Sequence, residues 1–392
     1  MDIDKNIAKV RGEFPVLKYK TYMNSAAHGP ALKRVWDVIQ DFWSFRINED
    51  PDPLAPDAKG EAARLIHADE DEITWCTRVT QGFNMVASLL DLKKGENVVV
   101  TDLGYPSNVF VWLPFREKGV EIRRIQNMDG IISIDDFEKA IDDDTRVVSM
   151  SRIEWTSGLR HDIEAISGIA HEHGALVIDD AYQAVGPIDV DVHKDGVDFL
   201  LVGSAKWLCC PPMNGIFYIR KDLIDRFEPT YRFYNQVEEA FRDQPPWSHP
   251  SSDNIASYDK PLLTTADKFY RGCVAESAVW GFHAALEYFN MLGGKQREER
   301  VLKLSGYLID GLRELGMKVN TPLEPKERGG LVTYNTGNHE LNKESHRKFQ
   351  DENIIVALRY SGGIGGIRVS THFFNTEEDI DRLLEVQKRL LK

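Results

Sequence analysis

From about residue 73 onward the chain alternates short apolar runs with amphipathic stretches, a rhythm that leaves few folds open. Residues 97–101 (NVVVT) read as a strand buried on both faces, followed by a helix starting near Ser107. Residues 120–125 give a second strand with a helix over 134–141 behind it. Residues 146–151 give a third, then a helix over 162–173 with Gly174 suited to its C-terminal cap. Further strands fall at 175–179, 198–202 and 215–219. Such alternation predicts an α/β large domain with a mostly parallel sheet and helices on both faces.

Outside this core the pattern differs. Near the start, Tyr22 to Pro30 is a loop of small residues, and Leu32, Val35, Trp36, Ile39, Phe42 and Trp43 follow at helical spacing. Pro51-Asp52-Pro53 and Pro56 mark a turn-rich connection. After about residue 260, a helical stretch over 276–291 precedes Gly293-Gly294 and another helix. Short strands then fall at 330–334, 354–358 and 366–371, and a closing helix opens at Asn375-Thr376-Glu377-Glu378, where a polar cap meets an acidic first turn. The expected organisation is an N-terminal arm (1–20) packing on the small domain, a large domain (21–260) and a smaller α+β domain (261–392).

A formal charge of −14 argues against nucleic acid as a partner, because phosphate backbones need clustered Lys and Arg. Charges interrupt every hydrophobic segment, so no membrane span is expected, and the N-terminus lacks the layout of a secretory signal. A cytoplasmic enzyme is the default. The four cysteines show no zinc-ligand spacing and suggest no disulfide framework, so no metal is expected.

The chemistry-bearing stretch runs from Val177 to Gly186 and continues from Asp198 to Trp207. In an open parallel sheet, ligands gather beyond the carboxyl ends of the strands. Asp180 falls just past one strand and Lys206 just past the next, so both should face that crevice. A desolvated lysine amine can form an imine with an aldehyde, and a carboxylate can keep a pyridinium nitrogen protonated. Read singly, an Asp after a strand is more often a turn former, and a Lys there is more often solvated. Thr77 to Asn84 begins a helix, and its free amides with the Thr80 hydroxyl can cradle a phosphate, although a simple Thr cap is commoner.

The ordered set Asp180-x-x-Gln183-x-x-Gly186, Val197-Asp198-Phe199, Ser204-Ala205-Lys206-Trp207-Leu208 and Gly215-Ile216-Phe217-Tyr218 resembles the class V aminotransferases. These are pyridoxal-phosphate enzymes of fold type I that include cysteine desulfurases, isopenicillin-N epimerase and kynureninase. The resemblance spans nearly the whole chain and implies an aspartate aminotransferase-like fold with a seven-stranded-type sheet. It implies pyridoxal 5'-phosphate as cofactor, with Lys206 as the Schiff-base lysine, Asp180 on the pyridinium nitrogen and Gln183 on the ring hydroxyl. Thr80, Gln81 and Ser204 then fall at the cofactor phosphate, Tyr105 stacks on the ring, and Trp155 stands where desulfurases often carry Asn. Arg368 matches the residue that binds the substrate carboxylate, for which a planar guanidinium fork is suited. Ala27 and His28 match a segment lining the substrate end. A homodimer acting on a small-molecule amino-acid substrate is also implied.

Transamination, epimerisation and β-elimination share their early steps, so the resemblance alone does not choose among them. The first expectation is an aminotransferase or epimerase-like enzyme on an α-amino acid. The alternative is a C–S or C–C β-lyase of the desulfurase-like group. Desulfurases carry a nucleophilic cysteine on a loop shortly before the carboxylate-binding Arg. The corresponding stretch here, Arg359 to Arg368, has no Cys, which argues against a persulfide-forming desulfurase. At Gly272-Cys273 many relatives have Gly-Thr reaching the partner's cofactor phosphate, and a Cys would be a poorer ligand. A non-catalytic binding module on the same fold is opposed by the retained Lys206, Asp180, Thr80 and Arg368. No G-x-G-x-x-G follows a strand, so a nicotinamide enzyme is disfavoured.

Overall fold

The computed structural model describes residues 1–49, 56–212, 214–238, 261–270, 272 and 275–391. The Pro51-Asp52-Pro53 turn and Cys273 lie outside the described residues. After a short first strand, β1 (Thr21–Tyr22), the large sheet is built from seven strands. These are β2 (Ile73–Cys76), β3 (Asn97–Thr101), β4 (Glu121–Ile125), β5 (Thr145–Ser151), β6 (Leu176–Asp180), β7 (Phe199–Gly203) and β8 (Gly215–Ile219). Their spatial order is β2-β8-β7-β6-β5-β3-β4.

From β4 through β7 all neighbours are parallel, and β8 runs antiparallel to both β7 and β2. A parallel crossover needs a dozen or more residues, usually including a helix. The segment 204–214 between β7 and β8 is shorter than that and contains no helix among its described residues, so β8 returns antiparallel. Strands β3, β6, β7 and β8 are buried along their whole length, which is why they read as continuous apolar runs. Alternate residues feed two cores. Val99, Val148, Val177 and Leu200 face one side, and Val98, Val147, Ile178 and Leu201 face the other.

The remaining strands are β9 (Lys318–Val319), β10 (Leu331–Asn335), β11 (Ile354–Ile355), β12 (Ala357–Ser361) and β13 (Ile364–Ser370). Four of them make an antiparallel sheet in the order β12-β13-β10-β9, while β11 pairs with β1. Helices Gly294–Glu314, His339–Asp351 and Glu377–Leu390 share a core with this sheet through Leu308, Phe349 and Leu383. The last of these helices begins at the expected cap, with Thr376 accepting from the Asp379 amide.

Three details differ from the sequence pattern or refine it. Strand β6 extends one residue further than 175–179 suggests, so Asp180 is its last residue rather than the first beyond it. The helix Glu276–Leu292 lies beyond residue 260 but packs against helices Lys33–Asn48 and Ala58–Ile66, which flank the large sheet. It is apolar over most of its circumference, as suits a helix covered on several sides. The N-terminal arm sets Phe14 against Phe373 and Phe374, and Arg11 pairs with Asp379 at 2.7 Å.

Candidate active site

The carboxyl ends of β2, β3, β5, β6 and β7 all open toward one edge of the sheet, and the segments leaving them meet around a cavity of about 260 Å³. Arg78, Val79 and Thr80 come from the turn after β2, and Tyr105 and Ser107 from the turn after β3. Ser151 ends β5, with Ile153 and Trp155 after it, and Asp180 ends β6, with Tyr182 and Gln183 after it. Lys206 stands three residues past the end of β7, and Ala27 and His28 close the wall from the early loop. A larger cavity of about 830 Å³ lies elsewhere, lined by Phe137, His161 and Glu298 among others. Size therefore does not pick out the site; the convergence of strand ends does.

Lys206 and Asp180 face this space from adjacent strands and perturb each other. Burial pushes the Lys206 amine down to about 8; Asp180 opposes that shift and Arg368 adds to it. Burial likewise pushes the Asp180 carboxyl up to about 6, against the pull of the Lys206 charge and a hydrogen bond from the Tyr182 amide at 3.1 Å. Lys206 Nζ sits 3.9 Å from the centroid of the Tyr182 ring and 5.4 Å from that of Tyr105. Beneath the site, Asp179 and Asp195 pair with the buried Arg152, which anchors the end of β6.

At one end of the cavity the helix Val79–Leu89 starts with Arg78 in extended conformation and no side-chain cap on its first amides. The hydroxyls of Thr80 and Ser107 lie 2.8 Å apart there. Free helix-start amides with two hydroxyls and a guanidinium on the same wall suit a phosphate group. Gln81 and Ser204 are not brought to this wall. The Gln81 side-chain oxygen turns back to accept from the Thr77 amide and hydroxyl. The Ser204 hydroxyl donates to the Pro211 carbonyl at 2.6 Å, holding the turn after Lys206 instead of facing the ligand space.

Another part of the wall is aromatic, and Arg368 lies beside it without lining the cavity. Tyr105 meets Trp155 edge to face with centroids 5.6 Å apart. Arg368, on β13, lies against Trp155 and donates to its carbonyl at 2.8 Å. Its Nε is buried without a partner among the described residues, and burial pushes the guanidinium down to about 9. A buried, incompletely bonded guanidinium is costly unless it meets an anion. Gln183 lines the cavity with its amide fixed at both ends. Its nitrogen donates to the Ala26 carbonyl, and its oxygen accepts from the Trp207 indole.

The early loop is clamped onto the lysine turn. The Gly29 amide donates to the Ala205 carbonyl at 2.8 Å, and a Cβ at Gly29 would stand 2.0 Å from the Lys206 carbonyl oxygen. Only glycine allows that approach.

In the stretch Arg359 to Arg368, where the sequence resemblance implies a cysteine loop for a desulfurase, β12 and β13 are joined by Gly362-Gly363 alone. Both glycines have positive φ (57° and 79°), the geometry of a tight hairpin turn. The turn is docked by Asn127, whose side chain donates to the Gly362 carbonyl at 2.8 Å. Cys209 and Cys210 are buried, and burial pushes both thiols up, away from a nucleophilic state.

Arg78, Ser107 and Tyr182 escaped the sequence reading. Arg78 and Ser107 flank Thr80 and Tyr105 in the strand-end turns, so listing every polar residue there would have found them. Tyr182 lies between Asp180 and Gln183, and only the fold shows which way it points. Elsewhere, ligand atoms of Asp69, Glu72 and His193 lie within 4.8 Å of one another. Glu72 is already bonded to His193 and the Asp69 amide, as an ion pair and a helix cap.

The family model described as "Aminotransferase class-V" matches residues 53–383. A probable cysteine desulfurase from Methanothermobacter thermautotrophicus is 26% identical, with 97% of each chain covered. An uncharacterized aminotransferase, YcbU, from Bacillus subtilis is also 26% identical, with 95% of each covered. Among solved structures, the apo cysteine desulfurase from Thermococcus onnurineus superposes with a TM-score of 0.84 at 24% identity, over 98% of this chain and 97% of that one. The chain belongs to the class V aminotransferase family. It is a pyridoxal-phosphate-dependent enzyme of that family. No helix among the described residues is long and apolar enough to cross a membrane.

Proposed function

We propose that this enzyme is a C–S β-lyase acting on a sulfur-containing α-amino acid, and that it releases the sulfur without passing it to a cysteine of its own. The names of the relatives favour C–S chemistry over the aminotransferase or epimerase reading preferred from the sequence. The observation that separates it from a persulfide-carrying desulfurase is the two-glycine turn at Gly362-Gly363, which leaves no loop for a nucleophilic thiol.

Bound pyridoxal phosphate supplies an electron sink for the electron pair released at the substrate's α-carbon. In this reading the protein's own residues do the rest. Arg368 binds the substrate carboxylate, and its unpaired Nε and lack of an acidic partner among the described residues support that role. Asp180, desolvated at the end of β6, keeps the proton on the cofactor's ring nitrogen. Gln183 offers its amide to the ring hydroxyl. Thr80, Ser107, Arg78 and the helix start hold the phosphate, while Gln81 braces that turn through Thr77 and Ser204 braces the turn after Lys206. Tyr105 and Trp155 form the aromatic wall of the site, and Ala27 and His28 bound the substrate end. Lys206 carries the cofactor covalently. Once displaced by substrate, its amine takes the α-proton, a task suited to an amine brought near neutral pH by burial. Assembly as a homodimer and a cytoplasmic location belong to this proposal on the family resemblance and the sequence alone.

The test is product analysis with cysteine, cystine and S-alkyl cysteines. Pyruvate, ammonia and a sulfur product in equal amounts support the proposal. Amino transfer that depends on an added keto acid, with no pyruvate, would replace it with the aminotransferase reading, for which the likeness to YcbU speaks.

A further inference from the structure

We infer that Tyr182 is a positioning residue whose ring face holds the Lys206 ammonium whenever that amine is joined to neither cofactor nor substrate. The inference rests on the reading of Lys206 given above and adds a residue that neither the motif nor the family match assigns.

Three observations converge on it. Lys206 Nζ stands 3.9 Å from the Tyr182 ring centroid, well inside the range in which an aromatic face attracts a cation. The Tyr182 amide donates to Asp180 at 3.1 Å, so one residue braces both the carboxylate and the amine of the site. The ring can lie there only because residue 203 is glycine; a Cβ at Gly203 would be 2.5 Å from Tyr182 Cζ. Strand β7 thus ends on the one residue type that leaves room for the ring beside the lysine it presents.

An aromatic face stabilises an ammonium and does little for a neutral amine. Once substrate displaces the lysine, the amine accepts the α-proton and becomes an ammonium. In that form it rests on the ring until it passes the same proton to the departing sulfur and is neutral again. Other charges act on the amine from the elements around it. Asp180, at the end of β6, favours the ammonium, and Arg368, on β13, opposes it. Tyr105, Arg78 and His28 share the cavity wall.

The test follows how fast the full-length chain develops the absorbance of covalently bound cofactor when titrated with pyridoxal phosphate across a pH series, since only the neutral amine attacks the aldehyde. Wild type and Tyr182→Phe, which keeps the ring face, are expected to share one midpoint. Tyr182→Leu is expected to move it down by about one pH unit and to lower kcat about tenfold with KM little changed. Gly203→Ala, which crowds the ring off its seat, provides a second route to the same downward shift should the leucine variant fold poorly. A midpoint unchanged in both Tyr182→Leu and Gly203→Ala, or a Phe variant that shifts as far as Leu, would overturn the inference. Lys206→Ala separates the two levels. If it still forms the absorbance band, the reading of Lys206 itself fails; if it forms none while the Tyr182 and Gly203 variants match wild type, only the role of Tyr182 fails.

Discussion

Replacing Arg368 with Met sets the cost of a buried cation against its use in binding. Among the described residues the guanidinium makes one hydrogen bond, to the Trp155 carbonyl at 2.8 Å, and its Nε has no partner. Removing one partner of a hydrogen bond to a charged group costs about 1.5–3 kcal/mol. Exchanging a buried charge for an apolar side chain of similar volume is neutral or stabilises by about 1–4 kcal/mol. The second effect should win here, because the cation is so incompletely bonded, and Arg368→Met is expected to melt at or above the wild-type temperature. Burial depresses the folded-state pKa of Arg368 to about 9, below its ordinary 12.5. For a base shifted downward, the folded chain carries the cost of the cation fully below pH 9, and the cost fades as pH rises from 9 toward 12.5. The stability advantage of the Met variant should therefore be largest below pH 9 and shrink above it. Function should move the other way. Losing a bidentate contact to the substrate carboxylate is expected to lower kcat/KM by roughly 100-fold. Arg368→Lys should recover part of that, having the charge but not the fork. Thermal melts at several pH values beside steady-state kinetics on one substrate provide the check. A Met variant that melts lower than wild type while keeping kcat/KM within about threefold would show that Arg368 is structural.

Other consequences follow from the same geometry. Gly29→Ala sets a Cβ against the Lys206 carbonyl, so it should destabilise the fold by about 1–3 kcal/mol in denaturant titration and reduce covalent cofactor loading. Thr80→Val should weaken cofactor affinity by roughly 10- to 100-fold, as expected for one hydrogen bond to a charged group. Ser204→Ala should leave that affinity unchanged and cost only about 1 kcal/mol of stability, because its hydroxyl is committed to Pro211. Since burial pushes Lys206 down to about 8, cofactor attachment should quicken as pH rises toward 8 and level off above it, as stopped-flow absorbance would record.

The large sheet was legible because strands buried on both faces must be apolar throughout, as Val98 to Val100 and Phe199 to Val202 are. The reversed direction of β8 was not, since it follows from the length of the turn that carries Lys206 and leaves no mark in β8 itself. The expectation for Lys206, Asp180, Thr80 and Arg368 came from their order along the chain, yet what each touches was hidden. Ser204 looked like a phosphate ligand from its place two residues before Lys206 in the resembling motif, and its turn to Pro211 depends on how residues 204–214 close. The affiliation of helix Glu276–Leu292 was misleading for a related reason. Its nearly all-round apolarity reports burial without saying against which domain.

Every role assigned around the site depends on Lys206 being the lysine that holds the cofactor. Borohydride reduction of the enzyme loaded with pyridoxal phosphate, followed by proteolysis and mass spectrometry of the peptides, asks this directly. A single reduced cofactor adduct is expected, on the peptide containing Ser204-Ala205-Lys206-Trp207, and none in Lys206→Ala. An adduct on a different lysine, or an unmodified Lys206 peptide from enzyme that turns over substrate, would contradict it.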